Sequence, residues 1–254
     1  TFFPIANVVG VLMARLAGIK GVLGSRRDYG YWITPGYLKA TQFANRFVDS
    51  IVANSPQVGS FTVRTEGVPA ERVEVIYNGV DIDALHRTGP NLALKAQLGI
   101  PAHHKVISLV ANYRPIKRHD TLLHATKLLI DKHPDVSLLF VGANNAADPC
   151  LDEVLALAKQ LGLEDRVHRG HAKGDIAEYL SIMDIGCNCS ESEGLSNAVI
   201  EYMAAGVASV VSNGGGNPDL VIDGVDGLVF PVADHVALAR HLTNLLDDAN
   251  LRDR

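Results

Sequence analysis

SESEGLSNAVIEYMAAGVASVVSNGGGN, residues 190–217, holds four structural pieces in one run. An acidic loop, Ser190 to Glu193, ends in Gly194. A helix pattern follows from about Ser196 to Ala205, and Gly206 stops it. Val207 to Ser212 is an apolar run of strand length, closed by Gly214, Gly215 and Gly216. Another such run, Ile185 to Cys189, precedes the loop. Strand, loop, helix, strand is the repeating unit of a parallel α/β sheet. In such sheets ligands bind outside the carboxyl ends of the strands, where Glu193 stands. The amides of Leu195, Ser196 and Asn197 open the helix without intrahelical partners, which makes an anion site.

Seven residues separate Glu193 from Glu201, so Glu201 lies two turns into the helix, near the loop side. Ionised carboxylates only accept hydrogen bonds. One at the mouth and one deeper suit a ligand with two sets of hydroxyls, its anion between them on the amides. The spacing alone proves nothing, because Glu66 and Glu74 share it and read as solvated surface. Context separates the two pairs. The stretch resembles the glutamate–seven–glutamate signature of the retaining glycosyltransferases of family 4, which run roughly S-x-x-E-G-x-x-N-x-x-x-E-x-M-A-x-G. Ser190, Glu193, Gly194, Asn197, Glu201, Met203, Ala204 and Gly206 match it, and Ala208 stands where the family usually has Pro.

Upstream, Lys105 to Ala111 reads as a buried strand. The loop Asn112-Tyr113-Arg114-Pro115-Ile116-Lys117-Arg118-His119 follows. A helix then turns Leu122, Leu123, Ala125, Thr126, Leu129 and Ile130 inward. A cationic loop at a strand's carboxyl end suits a leaving diphosphate, whose charge develops there. The family has an Arg and a Lys in this loop. Lys117 matches the Lys; Asn112 occupies the Arg position, and Arg114 is expected to substitute for it. The alternative reading, charge at a helix start, sits badly with the dipole. The resemblance also places the loop after the strand Val167–Gly170 at the nucleotide base. His171 would then stack on or edge the base, or else be structural.

The rest of the chain is read around these loops. Pro4 to Ala17 is expected to be a helix with Ile5, Val8, Val9, Leu12, Met13 and Leu16 on one face. Gly21 to Gly24 is a short strand leading into Ser25–Gly30, where Arg26 and Arg27 meet an acceptor phosphate or are surface charge. Leu38 to Val48 is a helix and Ser50 to Ala53 a strand. Ser55 caps the next helix with Pro56 at its first position. Val73 to Tyr77 is a strand, and VEVIYNGVD (residues 73–81) resembles the family's crossover between domains, with a linker over 86–91. Val136 to Val141 is a strand and Leu151 to Leu161 a helix stopped by Gly162. Asp175 caps another helix. Asn217 starts a short one, before a turn and strand over 224–230. Asp234 caps a last one with Val236, Leu238, Ala239, Leu242, Leu245 and Leu246 inward. Glycines 214–216 imply a close backbone approach, but no dinucleotide fingerprint follows them.

The 254 residues are 47% hydrophobic and 20% charged, enough for one large or two small globular domains. No apolar run reaches membrane-spanning length. Net charge is −5, unevenly spread: residues 1–65 carry seven Lys/Arg against two Asp/Glu, the remainder 16 against 26. The basic part suits an anionic partner or membrane surface, or is a set of solvated faces. Three cysteines make no disulfide framework and point to a reducing compartment. Cys187 and Cys189 are expected one inward and one outward on their strand, as free thiols or the start of a metal site.

The resemblance covers nearly the whole chain. It implies the GT-B fold, two Rossmann-like parallel-sheet domains: residues 1–81 as the second half of an acceptor-side domain, 82–254 as most of the donor domain. The chain opens without Met and mid-pattern, so it is expected to be a fragment, with the family's glycine-rich first loop, N-terminal histidine and closing helix outside it. The implied reaction moves a sugar from a nucleotide-diphosphate sugar to an acceptor hydroxyl with retention, in cell-envelope polysaccharide or glycolipid synthesis. Lys117, Glu193 and Arg114 are the implied catalytic set. Glu201, Gly194, Leu195, Ser196, Asn197, Asn112 and His171 are the implied donor-binding set. No metal is expected, since no Asp-x-Asp pair lies in the matching loops and Asp81-Ile82-Asp83 belongs to the crossover. No other cofactor and no nucleic-acid partner are expected. The acceptor would be a glycan or glycolipid, and the protein cytoplasmic, with its basic part toward the inner face of the membrane. Two rivals stay open: a nucleotide-sugar epimerase, and a non-catalytic nucleotide-sugar-binding module.

Overall fold

The computed structural model describes residues 5–30, 33–85, 89–143, 149–171 and 175–253. By their contacts the residues fall into two compact units. One comprises Thr1–Asn78 with Ser192–Leu195, the other Gly79–Glu191 with Ser196–Arg254. No helix among the described residues is long and apolar enough to cross a membrane.

The first unit holds three parallel strands in chain order: β1 (Leu23–Arg26), β2 (Ser50–Ala53) and β3 (Val73–Val75). Ser55 caps the helix Pro56–Glu66 by accepting the Val58 N–H, with Pro56 in its first turn, as the sequence predicts. Three other expectations fail. The N-terminal helix opens as a π-turn, Ala6–Gly10, before the α-helix Val11–Leu16. That extra winding rotates the face. Ile5, Val9, Met13 and Leu16 are exposed, while Val11 and Asn7 are buried. Asn7 goes in because its Nδ2 donates to the Ser25 carbonyl at 3.1 Å. β1 starts two residues later than expected, which puts Arg26 on the strand and into the interior. There it meets Glu66, which is buried and not solvated. Arg26 Nε and Nη2 each donate to a Glu66 carboxylate oxygen at 2.7 Å, and Asn45 Nδ2 adds a third bond at 2.8 Å. A bidentate pair with its remaining lone pairs satisfied can be tolerated away from water, so Arg26 is neither surface charge nor a phosphate ligand. Arg27 is exposed and donates to Asn78 Oδ1 at 3.2 Å.

The second unit is a six-stranded parallel sheet. Its strands are β4 (Lys105–Val110), β5 (Val136–Gly142), β6 (Val167–His171), β7 (Ile185–Asn188), β8 (Ala208–Ser212) and β9 (Leu228–Phe230), in the order β6-β5-β4-β7-β8-β9. The chain winds outward from β4 to β6, then returns to the other side of β4 and winds out again, so the order reverses between β4 and β7. The helices His119–Leu129, Cys150–Gln160 and His235–Asp247 supply buried residues to the larger core, together with Ile107, Leu109, Leu138 and Phe140 of the sheet. Val106, Leu139 and Val141 face the opposite core with Tyr179, Leu180 and Tyr202. Two expectations change here. Cys187 and Cys189 both enter the larger core, because residues two apart on extended backbone share a face; burial pushes both thiols up. In the last helix Ala237 is buried and Val236, in the first turn after the Asp234 cap, is exposed.

Two tyrosines of this unit occupy space left by strand glycines. A Cβ on Gly186 of β7 would stand 2.5 Å from the Tyr202 ring, and one on Gly170 of β6 would stand 2.6 Å from Tyr179. Each hydroxyl accepts a backbone N–H near a strand's carboxyl end: Tyr202 from Val110 at 2.8 Å, Tyr179 from His171 at 3.0 Å. Ladder pairing of β4 with β7 ends at Leu109↔Cys187. Tyr202 therefore receives the Val110 amide where the two strands part.

Candidate functional site

The order reversal between β4 and β7 opens a crevice at their carboxyl ends, where open α/β sheets bind ligands. The loop leaving β4 carries Asn112, Arg114, Lys117 and Arg118. The loop leaving β7 carries Ser190 and Glu191 and leads to the helix Asn197–Ala204. The two loops are tied together. Glu191 N–H donates to the Ile116 carbonyl at 2.9 Å. The Arg118 guanidinium donates to Glu191 at 2.5 Å and to Asp120 at 2.8 Å.

Arg118 has φ +51, a left-handed conformation that costs a side-chain-bearing residue about 1 kcal/mol. It follows the short 3₁₀ turn Pro115–Lys117 and immediately precedes the helix His119–Leu129. That bend turns the Arg118 side chain to two carboxylates, and its hydrogen bonds to Asp120 and Glu191 hold its proton more tightly than usual. Lys117 is half-buried and Arg114 exposed on the same loop. Asn112 Oδ1 accepts the Ala143 N–H at 3.0 Å, which joins the ends of β4 and β5. Gly142 is required beside it, because a Cβ would fall 1.9 Å from the Ala111 carbonyl oxygen.

Below the second loop lies a buried polar network. Asn188 Nδ2 donates to Ser196 Oγ at 2.8 Å, and Ser196 in turn accepts the Val199 N–H and caps the helix. Asn188 Oδ1 accepts the Ser190 N–H at 3.1 Å and Asn217 Nδ2 at 3.2 Å. Asn217 Nδ2 also reaches the Ser212 carbonyl at 3.1 Å, and Ser212 Oγ donates to the Ser190 carbonyl at 2.6 Å. Asn188, Ser190, Ser196, Ser212 and Asn217 are all buried. Such a network holds the helix start and the 188–190 turn in one arrangement. The glycine run contributes directly: what Gly214 approaches is the backbone of this turn, since a Cβ would stand 2.4 Å from the Ser190 carbonyl oxygen.

Glu201 is half-buried on the helix, and burial raises its carboxyl above the usual range. Asn197 is exposed at the helix start and Ser196 buried as its cap. Glu193, Gly194 and Leu195 belong by contact to the first unit. Within that unit Gly194 is buried, and a Cβ would stand 2.0 Å from the Arg27 carbonyl oxygen. Leu195 is buried and Glu193 half-buried. His171 ends β6 with its side chain exposed; the loop after it, 172–174, lies outside the described residues.

Sequence reasoning missed the Arg118–Glu191 tie, the Asn188–Ser212–Asn217 network and Tyr202. Asn188 left a usable signal, a polar residue closing an apolar strand, which demands partners if buried. Arg118 and Tyr202 left none, because their partners are 73 and 92 residues away.

These features define a Rossmann-like α/β unit with a cationic loop and a capped helix start at its switch point. Residues 91–254 match the family described as Glycosyl transferases group 1, and residues 3–84 match Glycosyltransferase Family 4. The chain belongs to the group 1 glycosyl transferases. It is 29% identical over 209 residues to a D-inositol 3-phosphate glycosyltransferase of Thermobispora bispora, covering 79% of this chain and 48% of that protein. It is 28% identical over 183 residues to an N-acetyl-alpha-D-glucosaminyl L-malate synthase of Bacillus anthracis, covering 72% and 46%. The chain thus spans about half the length of the curated relatives it matches. Among solved structures, Anabaena HepE in complex with UDP and glucose superposes with a TM-score of 0.90 at 26% identity, covering 99% of this chain and 68% of that one. The fold is the GT-B class of that neighbour, two parallel-sheet α/β domains.

Proposed function

We propose that this chain carries the donor side of a retaining glycosyltransferase that moves a sugar from a nucleotide-diphosphate sugar to an acceptor hydroxyl. The observation that carries the reading is the meeting of two loops at the β4–β7 switch point: one brings Lys117 and Arg114, the other runs to a helix start capped by Ser196. A leaving diphosphate needs cations and backbone N–H donors placed in advance, and that loop pair supplies both. Lys117 and Arg114 take the diphosphate with the amides of Leu195 to Asn197. Glu201 accepts the ribose hydroxyls, and Glu193, beside Gly194, those of the donor sugar. Asn112 shapes the cationic loop, and His171 edges the base. The charge of Lys117, Arg114 and the helix start makes a metal unnecessary in this step.

Family membership and the UDP and glucose held by the Anabaena neighbour support a nucleotide-sugar donor. The acceptor is a glycan or glycolipid of the cell envelope, reached on the cytoplasmic side, with the basic first part at the membrane. The test is the thermal shift of this chain with UDP, GDP, ADP and their common sugars, without metal, followed by product analysis. A shift with one nucleotide that Lys117→Ala abolishes, and a glycoside product of retained configuration, is the expected result. A sugar isomer as product identifies an epimerase, and binding without turnover by the full-length protein identifies a binding module; either overturns the proposal.

A further inference from the structure

The amino ends of the central strands lie at the opposite end of the sheet from the loops described above. They carry a convergent cluster of metal-ligating atoms. The register Lys105↔Val136 sets the residues just before β4 and β5 side by side, and Lys105 N–H donates to the Asp135 carbonyl at 2.8 Å. The turn into β4 ends in His103 and His104, and the turn into β5 ends in Asp135. His103 Nε2 stands 3.5 Å from Asp135 Oδ1, and His104 Nε2 stands 3.9 Å from the same oxygen. One ligand atom from each of the three residues lies within 4.8 Å of the others. Two ligands on a tetrahedral zinc ion lie about 3.3 Å apart, given metal–ligand bonds near 2.0 Å. One pair already stands at 3.5 Å and all three atoms within 4.8 Å, so the exposed His103 and Asp135 side chains need to close gaps of at most about 1.5 Å to reach that spacing.

The third side chain is held in place already. His104 is largely buried, and its Nδ1 pairs with Ser137 Oγ at 2.9 Å. Ser137 is fully buried on β5. A histidine whose Nδ1–H is taken by a neighbour presents its Nε2 lone pair outward, the arrangement that orients metal-bound imidazoles. Two imidazoles and one carboxylate suit zinc, cobalt and nickel better than magnesium or calcium.

We propose that His103, His104 and Asp135 bind one divalent transition-metal ion of the zinc class, clamping the two turns that enter β4 and β5. The ion completes its shell with water. It stabilises the sheet from the end away from the crevice and takes no part in the chemistry proposed there, so the inference stands independently of that reading.

Cobalt(II) is the probe, because its visible absorption reports ligand number and geometry. The wild-type chain is expected to bind one Co²⁺ with d–d bands that Zn²⁺ displaces, and Zn²⁺ is expected to raise its melting temperature. His103→Gln, His104→Gln and Asp135→Asn, the first and last at exposed positions, are each expected to weaken binding at least ~10-fold. Ser137→Ala, which touches no metal, is expected to weaken it by ~10-fold. The chain has ten histidines, so His124→Gln, at a second histidine pair formed with His235, serves as a control with unchanged binding. Ligand variants that bind Co²⁺ as tightly as wild type, or a wild type with no stoichiometric binding below millimolar Co²⁺, overturn the proposal.

Discussion

Gly186→Ala tests whether packing at the core controls the geometry of the switch point. Gly186 lies in β7 between Ser108 of β4 and Ser209 of β8. A Cβ there would stand 2.5, 2.6 and 2.7 Å from three atoms of the Tyr202 ring, roughly 1 Å inside the ordinary contact distance. Tyr202 is fully buried, and its hydroxyl holds the Val110 N–H at 2.8 Å. The ring cannot retreat without giving up that bond. Overpacking costs about 1–3 kcal/mol, and an orphaned Val110 N–H adds about 1–3 kcal/mol. Loss of glycine's freedom in the unfolded chain returns less than about 1 kcal/mol. The net expectation is a loss of ~2–5 kcal/mol, or a melting temperature lower by roughly 4–20 °C at 2–4 °C per kcal/mol. Urea unfolding at constant m-value reads the loss directly. Placing Gly186→Ala in a Tyr202→Leu background removes the obstructing ring. A double-mutant cycle should then give a coupling of at least ~1.5 kcal/mol. An unchanged melting temperature in Gly186→Ala, or a full penalty persisting in the Tyr202→Leu background, would refute the reasoning.

Three further outcomes follow from the same geometry. Arg118→Gly relieves the left-handed strain while losing two ion pairs worth ~0.2–1 kcal/mol each, so its stability should stay within about 1 kcal/mol of wild type. Arg118→Ala keeps the strain and should be the less stable of the two by chemical denaturation; the reverse order contradicts a strained residue 118. Glu201→Gln should stabilise the protein at pH 7 and lose that advantage as pH falls through the unfolded glutamate range. The raised folded pKa means that the cost of burying the charge is absent at low pH and complete only above that pKa. The same variant should weaken nucleotide binding by ~1–3 kcal/mol, and unchanged affinity in titration calorimetry sinks the ribose role. His119 is buried and stacked on Tyr113, and burial pushes its pKa down to about 4. A depressed histidine pKa loses stability as pH falls from the unfolded value near 6.5 to about 4, by on the order of 3 kcal/mol in all. His119→Leu should flatten that acid limb in pH-dependent melting, and an identical limb would show that another group carries it.

The strands and most helices were legible because they are local. Ser55 before Pro56, Asp175 and Asp234 all cap the helices that the sequence marks them for. Each cap needs only residues two or three positions away. The strand runs Ser50–Ala53 and Lys105–Val110 were readable for the same reason: apolar runs of that length between turn residues have few other uses. The N-terminal helix misled, because a π-turn shifts the phase that periodicity assumes to be constant.

Ser190 to Asn217 thus determined by itself the parallel α/β class, the family resemblance and the positions of Glu193, Glu201 and the helix start, since those depend on short spacings. The tertiary structure alone decided the rest. It set the order β6-β5-β4-β7-β8-β9, which puts the Lys117 loop and the Ser190 loop at one switch point. It buried Arg26 with Glu66, turned both Cys187 and Cys189 into one core, and fitted Tyr202 over Gly186. It also brought His103 and His104 beside Asp135 through the register of β4 on β5. Each of these joins residues far apart in the chain, and such contacts come from strand order and register, which no short window of sequence encodes.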